Sequence, residues 1–112
     1  MKKNNFLAIP VTAMACCLSA STILAQDPVQ VDSKHYKVVA ENNDVRVLRI
    51  KYGPGEKSVM HFHPESVAVF MTDIKGEFKL ADGSTMKTEA KAGDVTLTPA
   101  GTHLPQIGNK AI

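Results

Sequence analysis

From Tyr36 onward, short apolar runs alternate with clusters of Gly, Pro, Asn and Asp. Tyr36–Ala40 reads as a first strand. Asn42-Asn43-Asp44 reads as a turn, because Asn and Asp side chains satisfy nearby backbone groups and tolerate positive φ. Val45–Tyr52 is β-branched and alternating, with a register change expected near Val47-Leu48. Gly53-Pro54-Gly55 is a strong turn signal. Ser58–Phe62, Ser66–Thr72 and Gly76–Leu80 follow as strands. Asp82-Gly83 marks a hairpin whose return strand is Ser84–Ala90. Lys91-Ala92-Gly93-Asp94 turns again, Val95–Thr98 puts Val95 and Leu97 on one face, and Thr102–Ile107 is the last strand. No sustained 3.6-residue apolar period occurs after residue 25. Many short strands between such turns predict an all-β sandwich or barrel.

The first 25 residues follow a different plan. Lys2 and Lys3 open the chain, Phe6 to Leu24 is mostly apolar and small, and Ala25 offers a small-residue cleavage point. This is the three-part pattern of a secretory signal peptide. Pro10, Thr12, Ser19 and Ser21 dilute the stretch and weigh against the alternative, a retained membrane anchor. The expected organisation is a leader over 1–25, an exposed arm over 26–35 that includes an exposed His35, and one domain over 36–112. The mature protein is then exported, periplasmic or secreted, with no membrane attachment.

Removal of the leader changes the composition. Cys16 and Cys17 go with it, so the mature chain has neither disulfide nor thiolate ligand. Of thirteen basic residues, Lys2 and Lys3 are lost, leaving eleven against eleven acidic ones. A neutral chain without a basic run or any Trp does not predict nucleic-acid binding. A domain this small gains from a bound metal or from pairing as a homodimer.

The chemistry is concentrated in His61-Phe62-His63. On a strand, side chains two apart share a face with Cα atoms about 6.5–7 Å apart, so both imidazoles reach one ion. A second run, Gly93 to His103, supplies a third histidine. Imidazole suits Fe, Zn, Ni or Cu, and three histidines leave open coordination positions. Glu65 is the available acid or base, Gln106 a hydrogen-bond donor to a small-molecule ligand, and Phe62 and Phe70 candidate pocket walls. Met60, Val69 and Met71 read first as packing.

Gly55, five residues, His61-x-His63, then Gly93-Asp94, four residues and Pro99-x-Gly101-x-His103 form a conjunction of two turn–strand–histidine units. It resembles the two motifs of the cupin superfamily over Val45 to Asn109. The resemblance implies a small jelly-roll β-barrel with His61, His63 and His103 inside it, binding a divalent metal (Fe, Mn, Zn, Ni or Cu). Three departures stand out. Val67 and Ala68 occupy the positions where the first motif carries glutamate. One residue, Thr102, separates Gly101 from His103 where two are usual, a shift that a bulge at Ala100-Gly101 would correct. After the second motif only Gly108 to Ile112 remain, so the barrel is either shortened at its C-terminus or left with an edge that a partner subunit or the 26–35 arm covers. Two functions are consistent with these residues. One is a metal-binding module for a small ligand. The other is a small metal-dependent enzyme of dioxygenase or isomerase type, acting on a carbonyl or anionic substrate.

Overall fold

The computed structural model describes residues 26–112, and the expected leader lies outside the described residues. A short helix, α1 (Pro28–Val31), precedes eight strands: β1 (Tyr36–Glu41), β2 (Arg46–Ile50), β3 (His61–His63), β4 (Ser66–Val69), β5 (Ile74–Leu80), β6 (Thr85–Ala90), β7 (Val95–Thr98) and β8 (Gly101–Ile107). The fold is all-β, and every strand pairing is antiparallel. One sheet has the order β3-β8-β5-β6, while β1-β2 and β4-β7 are separate two-stranded ribbons. Among the described residues the pairing does not close into a barrel. No helix among them is long and apolar enough to cross a membrane.

Turn chemistry places the strands. Asn42 Oδ1 accepts from the N–H groups of Asp44 and Val45 at 2.9 and 2.8 Å, closing the β1–β2 turn. The register change expected near Val47-Leu48 appears as a slip between Val38 and Ala40, directly opposite. Gly83 turns the β5–β6 hairpin with φ of 86°, and Asp82 accepts from the Ser84 N–H. In that hairpin the outer face pairs Lys75 with Glu89 and Glu77 with Lys87, opposite charges directly across the strands. Its inner face carries Ile74, Phe78 and Ala90.

The buried core is small: Tyr36, Tyr52, Ile74 and Ile107, each no more than 6% exposed. The two tyrosine hydroxyls hydrogen-bond to each other at 2.7 Å, so neither buried O–H is left without a partner. Val29, Leu48, Phe70, Ala90 and Ile112 pack around this cluster.

The 26–35 segment departs from the expected exposed arm. Asp27 caps α1 by accepting from Val29 N–H at 2.9 Å, Pro28 fills the first helical turn, and Arg46 donates to Asp27 at 2.6 Å. Pro28 is buried, Val29 packs on the core, and α1 lies against β1 and β3. His35, expected at the surface, is 6% exposed. Its ring stacks on Tyr52 with centroids 4.2 Å apart and is held between two carboxylates.

Gly76 pairs with Ile107 of β8, and a Cβ there would collide with the Gln106 carbonyl oxygen. Gly76→Ala is expected to lower unfolding free energy by about 1–3 kcal/mol, as overpacking does. At Gly101 a Cβ meets nothing within 4 Å, so Gly101→Ala is expected to stay within about 0.5 kcal/mol of the parent. Urea unfolding of the two variants checks both.

Candidate metal centre

β3 is three residues long, and its two histidines flank Phe62. In the β3–β8 ladder His61 stands opposite His103, and His63 stands opposite Gly101. Residues directly opposite in an antiparallel pair share a face, so His61, His63 and His103 project to the same side. The strand interruption that allows this falls at Pro99-Ala100, between β7 and β8. Upstream, Lys57 bridges to Gln106, one residue out of step with the His61–His103 pair, so Val59 and Met60 absorb the excess.

The imidazole centroids are 5.0 Å apart for His61–His103 and 4.6 Å for His63–His103. Histidines bound through nitrogen to one ion, with metal–nitrogen distances near 2.1 Å, have centroids about 4.6–5.3 Å apart. The rings therefore sit at metal-compatible spacings. Their nitrogens are not gathered about a point, however: among the described residues no group of three or more His, Cys, Asp or Glu is disposed to hold a metal ion.

The hydrogen bonds select the nitrogen that each ring presents. His61 Nδ1 lies 2.9 Å from the Val59 carbonyl oxygen, and His63 Nδ1 lies 2.9 Å from that of Pro64. A carbonyl only accepts, so both Nδ1 atoms carry hydrogen and both Nε2 atoms keep a lone pair. This is the outer support that metal-ligating histidines ordinarily have. His61 is 1% exposed and meets the Tyr36 ring edge-on at 4.9 Å. Phe78 lies 4.8 Å from His103. Burial lowers the His61 pKa. Burial first, then the neighbouring His63 and His61, pushes His103 down to about 4.

A polar chain runs from this cluster to the N-terminal segment. Ser58 Oγ sits 3.2 Å from His61 Nδ1 and donates to Asp32 at 2.6 Å. Asp32 faces His35 Nδ1 at 2.7 Å, and Glu56 faces His35 Nε2 at 2.8 Å. Glu56 also accepts from Lys34 and the Gly53 N–H. Burial pushes the Asp32 carboxyl up, but the hydrogen bonds from Ser58 and His35 outweigh it and the net direction is down. Lys34, Gly53 and His35 hold Glu56 at about 2.

The remaining candidates lie elsewhere. Glu65 is exposed in the bend between β3 and β4. Phe62 alternates to the face away from the two histidines. Phe70 packs against the tyrosine core. Gln106 is exposed and three positions from His103, hence on the opposite face of β8, where it borders a depression with Lys75, Glu77 and Lys87. Tyr36, Phe78, Ser58 and Asp32 surround the histidines without having been singled out as site residues. Only tertiary packing brings them there.

Two acid transitions are expected in metal-free protein. A histidine whose folded pKa is depressed contributes stability that falls as pH drops from about 6.5 to 4, because the unfolded chain binds the proton first. His103→Gln should make that window shallower, His61 keeping its share. A carboxylate with a depressed pKa contributes stability present above its unfolded value and lost as pH falls, here from 4.5 toward 2. Glu56→Gln should make the second window shallower and leave the first as it is, with Asp27, Asp32, Asp73 and Asp82 keeping their share, as read by urea midpoints across pH. Against known proteins, no family model matches the chain, and no curated protein or solved structure matches it significantly.

Proposed function

We propose that this chain is an exported module of cupin type, its strands arranged as a jelly roll, that binds a divalent metal through His61, His63 and His103 and takes a small ligand there. The observation that carries the reading is the common face of the three rings, with two Nε2 lone pairs left free by carbonyl bonds on Nδ1. Three neutral ligands leave the charge of the ion uncompensated, so the ligand class is anionic or enol-type. Closing the nitrogens around one ion requires ring rotation and no change of strand register, since the centroid spacings already suit it. Fe, Zn, Ni and Cu suit imidazole donors, and Mn, which favours oxygen ligands, suits them least.

The binding module is favoured over an enzyme by the position of Glu65, which makes no side-chain hydrogen bond or ion pair among the described residues and stands exposed outside the histidine face. No other carboxylate reaches the rings directly. Asp32 acts through Ser58, as a positioning residue for His61.

Elemental analysis of the purified protein is expected to show about one equivalent of metal, lost in the His61→Ala/His63→Ala double variant. Ser58→Ala should weaken metal affinity about 10–100-fold while leaving the stoichiometry intact. Glu65→Gln should leave metal affinity and ligand binding unchanged. Absence of metal in the parent after reconstitution with each ion in turn would falsify the proposal.

A further inference from the structure

The face that carries the three imidazoles continues past them across the sheet. His103 on β8 stands opposite Leu80 on β5, just as it stands opposite His61 on β3. Two residues along β5, Phe78 stands opposite Met86 of β6, and its ring centroid is 4.8 Å from that of His103. Residues paired across a ladder share a face, so Leu80, Phe78 and Met86 form one apolar strip beside His103. Strands lie about 4.8 Å apart, so the strip extends about 10 Å from β8.

Charge is sorted between the two faces. Lys75, Glu77, Lys79, Lys87 and Glu89 all fall at outer-face positions of β5 and β6, and β8 has no Asp, Glu, Lys or Arg. The inner face of these three strands therefore carries no carboxylate, ammonium or guanidinium group.

The other side of the imidazoles is closed. His61 is 1% exposed and has Tyr36 against its ring. The Phe62 N–H of β3 donates to the Gln26 carbonyl at 3.0 Å, which lays the N-terminal segment along that edge of β3. A ligand bound at the histidines therefore extends away from β3, over β8 toward β5 and β6.

We propose that the ligand of the histidine site is a small monoanion with an uncharged apolar body, selected by Leu80, Phe78 and Met86. This selection rests on the metal-binding reading of the three histidines. The anionic head meets the ion held by His61, His63 and His103. The body lies on Leu80 and Phe78, with Met86 at its far end, where a flexible thioether adapts to bodies of different shape. Each methylene placed on the strip leaves water for apolar surface and adds affinity beyond that of the head. A second charge on the body would leave water for a face that offers it no partner, so a dianion of the same length is rejected.

The test uses the full chain loaded with zinc, whose uptake is measured first by elemental analysis. The probes are acetate, hexanoate and adipate, the last matching hexanoate in length but ending in a second carboxylate. The His103 ring protons report the head, and the methyl signals of Leu80 and Met86 report the body. Hexanoate is expected to bind about tenfold more tightly than acetate or adipate, or better, and to shift both methyl signals saturably. Met86→Lys, at a position 49% exposed, should reverse the preference between hexanoate and adipate. Zinc uptake with equal affinity for the three probes would overturn the selection and leave the metal site standing. No zinc uptake would overturn both. Methyl shifts from hexanoate at the same affinity without zinc would overturn the selection too, because the head would then not be at the ion.

Discussion

The register between β3 and β8 governs what the histidines do. A one-residue slip would send His103 to the face opposite His61 and His63 and leave only two imidazoles on one face. Two irregularities hold the register. On the β3 side, Val59 and Met60 take up the residue by which the Lys57–Gln106 bridge and the His61–His103 pair differ. On the β8 side, the chain breaks at Pro99-Ala100 and restarts at Gly101. The short spacing from Gly101 to His103 is thus accommodated by where the strand begins. The displaced Val59 contributes directly, because its carbonyl accepts from His61 and sets the tautomer of that ring.

That arrangement depends in turn on the N-terminal segment. Asp32 has an 8% exposed carboxylate, which would be costly unless fully bonded. It accepts from Ser58 and faces His35, whose ring lies flat on Tyr52. Tyr52 shares its hydroxyl bond with Tyr36, and Tyr36 meets His61 edge-on. The path from His61 through Ser58, Asp32, His35, Tyr52 and Tyr36 returns to His61. Removing either tyrosine costs the other's buried hydroxyl its partner, and removing Asp32 takes one from both Ser58 and His35, so the segment before β1 is part of the wall around the histidines.

Local signals in the chain were enough to place most strands. Asn42, Gly83 and Gly93 turn where turn chemistry requires, and the alternating charges of Lys75 to Lys79 mark the outer face of a hairpin. The His-x-His pair was legible for the same reason, since period-two alternation is local. The burial of His35 was not, because one of its carboxylate partners, Glu56, is 21 residues away. The 26–35 segment is polar in sequence, and its polarity is spent on internal bonds instead of on water. Gln106 illustrates a different failure: parity along β8 separates it from His103, and strand alternation alone contained that information. Tyr36 and Phe78 reach the imidazoles only through sheet packing.

His35 and His61 are the two histidines less than a tenth exposed, and their settings are opposite. His35 has a carboxylate oxygen at each ring nitrogen, Asp32 at 2.7 Å and Glu56 at 2.8 Å. Both nitrogens are engaged inside the fold, and the ring is used up as a structural tie. His61 has a carbonyl at one nitrogen and no hydrogen-bond partner among the described residues at the other, with two further imidazoles on its open side. Asp32 lies between the two, bonded to His35 and reaching His61 only through a hydroxyl. One buried carboxylate thus binds the structural histidine directly and passes orientation to the other through Ser58. The lone pair of His61 stays available on the face where His63 and His103 stand.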